Sequence, residues 1–123
     1  MELSYATEGN LIFIQEGVKR RPYICVKVYR NKAGIPYNWL VLPITSSIAV
    51  GFENLFQIEH PKLNKKSYVK LNNIQTIKWN DTYEIKNKID KSLLDNLISK
   101  ICNSLKYEHF ERKIDSSTCS KKE

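Results

Sequence analysis

The sequence has little of what marks specialised architectures. Glycine and proline occur only four times each in 123 residues, which excludes collagen-like and low-complexity chains. The three cysteines, Cys25, Cys102 and Cys119, are far apart, and no CxxC occurs. A structural zinc site needs four closely spaced ligands and a disulfide framework needs an even set, so the expectation is reduced thiols in a cytoplasmic protein. No apolar run approaches the ~18–20 residues of a membrane span. The start, Met1-Glu2-Leu3-Ser4-Tyr5, lacks the basic-then-apolar form of a signal peptide. The P-loop, the dinucleotide-binding glycine fingerprint, HExxH and GxSxG are all missing. No cofactor is therefore expected. Histidine occurs twice, as His60 and His109, on separate elements, and each is read as a structural or surface residue.

What is present describes one small domain. The hydrophobic fraction is 41% and the charged fraction 27%, ordinary for a globular chain and too apolar for wholesale disorder. Residues 1–110 read as a single domain. Beyond Phe110, the segment 111–123 has one aliphatic residue, Ile114, and reads as a disordered tail. The formal net charge is +7, and it is unevenly placed. Residues 62–123 carry fourteen basic against eight acidic side chains, whereas residues 1–61 carry six against five. An excess of this kind favours an anionic partner.

The periodicity is that of strands, then of one helix. Asn10 to Gln15 is short, apolar and β-branched. Pro22 to Tyr29 is dominated by β-branched and aromatic residues, and Asn38 to Leu42 runs into Pro43-Ile44-Thr45-Ser46-Ser47. Phe56 to His60, Ser67 to Leu71 and Ile74 to Trp79 alternate apolar with polar. Asp81, Glu84 and Asp90 read as turn or helix-start residues. From Leu93 to Leu105 the apolar positions form one helical stripe, with Ser92/Asp95 or Asp90 as the cap. The expected fold is mostly β with α: a small antiparallel barrel plus a C-terminal amphipathic helix.

Two short segments carry candidate chemistry. Lys19-Arg20-Arg21-Pro22 lies where a turn enters a strand. Pro22 fixes its own φ and biases Arg21 toward extended backbone, a directed mount for a guanidinium that binds phosphate oxygens. Thr45, Ser46 and Ser47 offer three hydroxyls at a strand end, either for phosphate or simply to end the strand. Tyr23, Trp39, Tyr68 and Trp79 lie on strand-like segments and are read as core residues rather than base-stacking platforms.

In order and spacing these segments resemble the MazF/PemK family of toxin endoribonucleases. The matching stretches are Gly9 to Gln15, Lys19 to Val26, Leu42-Pro43-Ile44-Thr45-Ser46, Ser67 to Leu71, Ile74 to Ile77 and the helix Leu93 to Leu105. The resemblance spans roughly residues 8–106. It implies an SH3-like barrel, a homodimer and metal-independent cleavage of single-stranded RNA. The implied chemistry is attack of a 2′-OH on the adjacent phosphate, leaving 2′,3′-cyclic phosphate and 5′-OH ends. It also implies an acidic antitoxin protein as partner. Arg21 and Thr45 fall on the family's catalytic positions, while Lys19, Arg20, Ser46 and Ser47 are candidates for RNA contact. Two positions depart from the family pattern. Gly9-Asn10 stands where Gly-Asp is usual, and only Glu16 to Arg20 separates the first strand from Arg21, where a longer loop is usual. Two other readings stay open on the residues. One is a non-catalytic barrel-type binding toxin. The other is an inactive MazF-like mobile-element protein, which the short loop favours.

Overall fold

The computed structural model describes residues 5–46, 55–60, 63, 66–80 and 82–104. Ser47, His109, Cys119, Leu105 at the expected helix end and the tail 111–123 lie outside them. Among the described residues, seven strands and one helix follow in chain order: β1 Asn10–Glu16, β2 Lys19–Arg30, β3 Pro36–Thr45, β4 Leu55–Ile58, β5 Ser67–Lys70, β6 Gln75–Ile77, β7 Glu84–Lys88 and α1 Lys91–Ser104. All pairings are antiparallel, in the order β4-β5-β3-β2-β1-β7 with β6 also on β3. The sheet curls into a half-barrel, with the helix at its C-terminal end. This is the small barrel with a C-terminal helix expected from the sequence.

The long central strands are apolar on both sides because both sides are covered. Leu11, Ile24, Val26, Leu40 and Leu42 pack with Val69, Leu71 and the helix residues Leu97 and Ile101. On the opposite face Ile12, Tyr23, Cys25, Trp39 and Val41 pack with Ala6, and Tyr5, Trp79 and Tyr83 close the edge. The rings of Trp39 and Trp79 lie 5.2 Å apart, and the Trp39 indole donates to the Ala6 carbonyl at 2.9 Å. In β2 the alternation flips partway: Val26 joins the first cluster, and Val28 joins the second instead of the first. The cause is a break in register between Cys25 and Lys27, where one extra residue turns the following side chains to the other face. The Val28 N–H at this bulge is satisfied by Glu8 Oε2 at 3.1 Å. Burial, with Glu8 adding to it, pushes the Cys25 thiol up to about 12. Cys102 is disulfide-bonded, so of the expected reduced thiols only Cys25 is free among the described residues.

Glu84 does not lie in a turn; it opens β7. The five residues Glu84-Ile85-Lys86-Asn87-Lys88 hold a single apolar side chain, and such a segment gives no strand signal. An edge strand needs none: it buries one face thinly, and lysines on it discourage pairing with other chains. What fixes β7 is the corner Gly9-Asn10. Gly9, at φ +96°, accepts from Ile89 N–H at 2.9 Å and donates to the Cys25 carbonyl at 2.8 Å. The Asn10 amide donates to the Lys86 carbonyl at 2.7 Å, and its Oδ1 accepts from Thr7 N–H at 2.8 Å. At the helix, Asp90 is the capping position, since its carbonyl accepts from Leu94 N–H.

An aspartate at position 10 has no proton to give the Lys86 carbonyl at neutral pH. Asn10→Asp is expected to destabilise the fold by about 1–3 kcal/mol, the range for a buried acceptor left without its donor. Urea unfolding of the two proteins measures it, and equal midpoints would show that Asn10 does not hold β7.

Candidate functional site

The β1–β2 hairpin turns through only Gly17 and Val18, with Gly17 at φ +63°. Two-residue hairpins need positive φ, and glycine adopts it without strain. The turn sets the pairs Glu16↔Lys19, Gln15↔Arg20, Ile14↔Arg21, Phe13↔Pro22 and Ile12↔Tyr23. Lys19-Arg20-Arg21 is therefore strand rather than turn, and neighbouring residues point to opposite faces. Arg20 is held toward β7. Its Nε pairs with Glu84 Oε1 at 3.2 Å, and its other nitrogens donate to Gln15 Oε1 and the Thr82 carbonyl, each at 3.3 Å. Arg21, more than half exposed, instead pairs through Nε with Glu16 Oε1 at 3.1 Å.

The β2–β3 ladder ends at Tyr23↔Pro43. Beyond it β3 leaves β2 and pairs with β5, as Ile44↔Val69 and Thr45↔Tyr68. Proline has no N–H, so neither Pro22 nor Pro43 can donate to extend the ladder. Where the two strands part, a cleft of about 600 Å³ opens. Lys19, Arg20, Arg21, Thr45 and Ser46 all line it. Five of the six candidate residues thus meet in one place; Ser47 lies outside the described residues. Lys70, Asn73 and Gln75 line it as well, as do Tyr23 and Pro43. Among the described lining residues four are basic, and one, Glu16, is acidic.

Sequence reasoning missed a polar chain across this cleft. The Tyr23 hydroxyl donates to Glu16 Oε2, while Oε1 of that carboxylate faces Arg21 in the ion pair. Gln75 of β6 lines the same cleft. Burial first, and then the bond to Glu16, push the Tyr23 hydroxyl up to about 12. It stays a proton donor across the physiological range. Glu16 read as a turn residue because it precedes Gly17. Counting two residues for the hairpin places it opposite Lys19, beside Arg21. Tyr23 is buried, as read, but its hydroxyl reaches the cleft.

The remaining candidates lie elsewhere. Trp39 is in the core and Trp79 packs on it. His60 is buried, with Nε2 at 2.8 Å from the Asn87 carbonyl, in a structural setting. No group of three or more His, Cys, Asp or Glu residues placed to hold a metal occurs among the described residues, and none of the described helices is long and apolar enough to cross a membrane.

No protein-family model matches the chain, and no curated protein matches it in sequence. Among solved structures it is similar to two crystal forms of MazE–MazF from Deinococcus radiodurans. Form II aligns with a TM-score of 0.63 at 18% identity, covering 82% of this chain and 96% of that one. Form III aligns with a TM-score of 0.60 at the same identity and coverage. At that identity the likeness is one of backbone, and the fold is MazF-like.

Proposed function

We propose that the protein is the toxin of a toxin–antitoxin pair and a metal-independent endoribonuclease for single-stranded RNA. The observation that carries this reading is the meeting of Arg21 and Thr45 in one open, basic cleft. Cleavage by the RNA's own 2′-OH makes three demands. The 2′-OH must lose a proton, the 5′-oxygen must gain one, and the charge on the five-coordinate phosphorus must be stabilised. Arg21 suits the last task and the proton donation: a guanidinium stays charged and presents several N–H groups to phosphate oxygens. Thr45 contributes a hydroxyl that orients the phosphoryl group. Lys19, exposed at the cleft edge, and Ser46 contact the RNA backbone. Arg20 also borders the backbone path, with its guanidinium shared by Glu84 and Gln15.

The direct test is incubation of the pure protein with a long unstructured RNA in EDTA. New 5′-OH and 2′,3′-cyclic phosphate ends are the expected products, at a rate that EDTA leaves unchanged. Absence of cleavage, together with tight capture of another protein, would favour a binding-only toxin. Inertness in both assays would favour the inactive mobile-element reading. Arg21→Ala is expected to lower kcat by about 10²–10³-fold, the range for loss of one transition-state donor. Thr45→Ala should lower it less, since a neutral hydroxyl contributes less to an anion. Lys19→Ala should weaken binding, with an effect that shrinks as salt rises. Equal rates for Arg21→Ala and Arg20→Ala at saturating RNA would remove Arg21 from the chemistry.

The same basic cleft suits an acidic, disordered antitoxin segment that folds as it binds. We place that segment over Arg21 and Thr45 and propose a homodimer as the working unit. Light scattering should give twice the 14.4 kDa chain mass, and saturating antitoxin should stop cleavage. A monomer throughout the micromolar range, or undiminished cleavage in the saturated complex, would contradict those placements.

A further inference from the structure

The described aromatic side chains are buried or half-buried with one exception. Tyr37 is 48% exposed, and it stands near the start of β3, at the end far from the cleft. Tyr37 and Pro43 are six positions apart on that strand, roughly 20 Å at the usual rise of a strand. The β2–β3 loop that delivers the ring is closed by its own hydrogen bonds. Asn31 Oδ1 accepts from the N–H groups of Ala33 at 2.9 Å and Ile35 at 3.0 Å, and Asn31 N–H donates to the Ile35 carbonyl at 2.9 Å. The charge around the ring has one sign. The Lys78 ammonium lies 5.8 Å from the ring centroid and donates to the Tyr37 carbonyl at 3.4 Å. Residues 30–38 and 72–80 hold Arg30, Lys32 and Lys78 and no acidic side chain. Glu8 partly neutralises Arg30 at 3.8 Å, whereas Lys32 and Lys78 are exposed. Strand β6 joins this patch to the cleft. Gln75 lines the cleft, and Lys78 stands three positions further on, about 10 Å along the chain, with the exposed Thr76 between them. Among the described residues β6 pairs with β3 alone, so its outer edge offers backbone donors and acceptors.

We propose that Tyr37, with Lys78 and Lys32, is a second RNA-binding site, separate from the cleft and reached along β6. A base of the strand held in the cleft stacks on the Tyr37 ring, and the two lysines take neighbouring phosphates. The proposal rests on the ribonuclease reading and goes beyond it, since this site takes no part in the chemistry. Stacking accepts every base, because each has a π face. The site therefore adds affinity for single-stranded RNA without reading its sequence. A ring held on a loop with its own hydrogen bonds loses little freedom when the base arrives. Ile35, 55% exposed on the same loop, would also suit an apolar side chain of a protein. One aliphatic residue is a small anchor, however, and a ring flanked by lysines matches the alternation of base and phosphate.

The test uses the full chain and two oligoribonucleotides built around a cleavage site mapped on the long RNA. One is confined to the nucleotides beside the cleaved bond, and the other is extended by several nucleotides on both sides. The wild-type protein is expected to show a lower KM for the extended form. Tyr37→Ala should raise that KM by about 5–100-fold, the worth of one base stacked on an aromatic ring. Its kcat, its KM for the short form and its melting temperature should stay unchanged. Tyr37→Phe keeps the ring and should bind as the wild type does. Lys78→Ala should weaken binding of the extended form and lower the salt slope by about one. Fluorescence anisotropy with an extended form carrying 2′-deoxyribose at the cleaved position should give the same losses without turnover. Equal KM values for wild type and Tyr37→Ala on the extended RNA, or an equal loss on both lengths, would overturn the second site. A Tyr37→Ala protein that keeps its RNA affinity but loses affinity for the antitoxin would assign the patch to a protein partner and overturn the proposal too. If the wild-type protein cleaves no RNA, the ribonuclease reading itself fails, a result distinct from an active wild type indifferent to Tyr37→Ala.

Discussion

The site depends on a ladder that stops. Strands β2 and β3 run side by side through the centre of the sheet and share the core on both faces, yet their pairing ends at Tyr23↔Pro43. An uninterrupted antiparallel pair would satisfy its backbone groups and leave no concavity. Proline on each strand removes the donors that would extend the pair, and β3 finds β5 as its new partner at Ile44 and Thr45. The side chains just past the parting, Arg21 on one strand and Thr45 on the other, therefore face a shared gap. A proline that merely ended a strand would expose a turn. Two prolines on paired strands make a cleft whose walls are both rigid sheet, the support that a precise constellation needs.

A second constraint holds the walls in place from behind. The first strand must keep β2 on one side and β7 on the other, and β7 contributes almost no hydrophobic burial of its own. Polar contacts supply what packing does not. The Gly9-Asn10 corner ties β1 to Lys86, Ile89 and Cys25 through backbone groups. Arg20 ties β2 across β1 to Glu84 and the Thr82 carbonyl. The Arg20 ion pair is exposed and adds little stability, but it keeps that guanidinium on the β7 side. The two adjacent arginines thus have different work because a strand sends neighbours to opposite faces.

The sequence was most readable where burial dictates composition. The runs of β1, β2 and β3 and the stripe of α1 are apolar because they are covered, and their order matched a small barrel with a terminal helix. It was least readable where polar contacts decide. Glu84-Ile85-Lys86-Asn87-Lys88 becomes a strand because Asn10 and Gly9 bond to the segment 86–89, partners some 76 residues away in the Asn10 case, and no local pattern records such a bond. The bulge that turns Val28 to the opposite face is likewise invisible, since valine suits either cluster. In the candidate site, Arg21, Thr45, Lys19, Arg20 and Ser46 were singled out by local chemistry, given roles only by the family resemblance, and brought to one cleft by the fold. Glu16 and Tyr23 were not, because their hydrogen bond exists only between two strands.

The short hairpin gives the cleft its particular character. With two residues in the turn, Glu16 is bound by register to lie opposite Lys19, and its carboxylate falls within reach of both Arg21 and Tyr23. A longer, flexible loop at this point adds contact surface, but it frees the residue before the turn from the sheet and adds entropy that must be lost when that residue is aligned. Shortening exchanges reach for order. The cleft loses one flexible wall and becomes open on the hairpin side, where Val18 is almost fully exposed. In return the carboxylate beside Arg21 is held by sheet geometry instead of by a loop. Groups held by sheet geometry are aligned before any ligand arrives, so the alignment does not have to be made at the expense of binding energy.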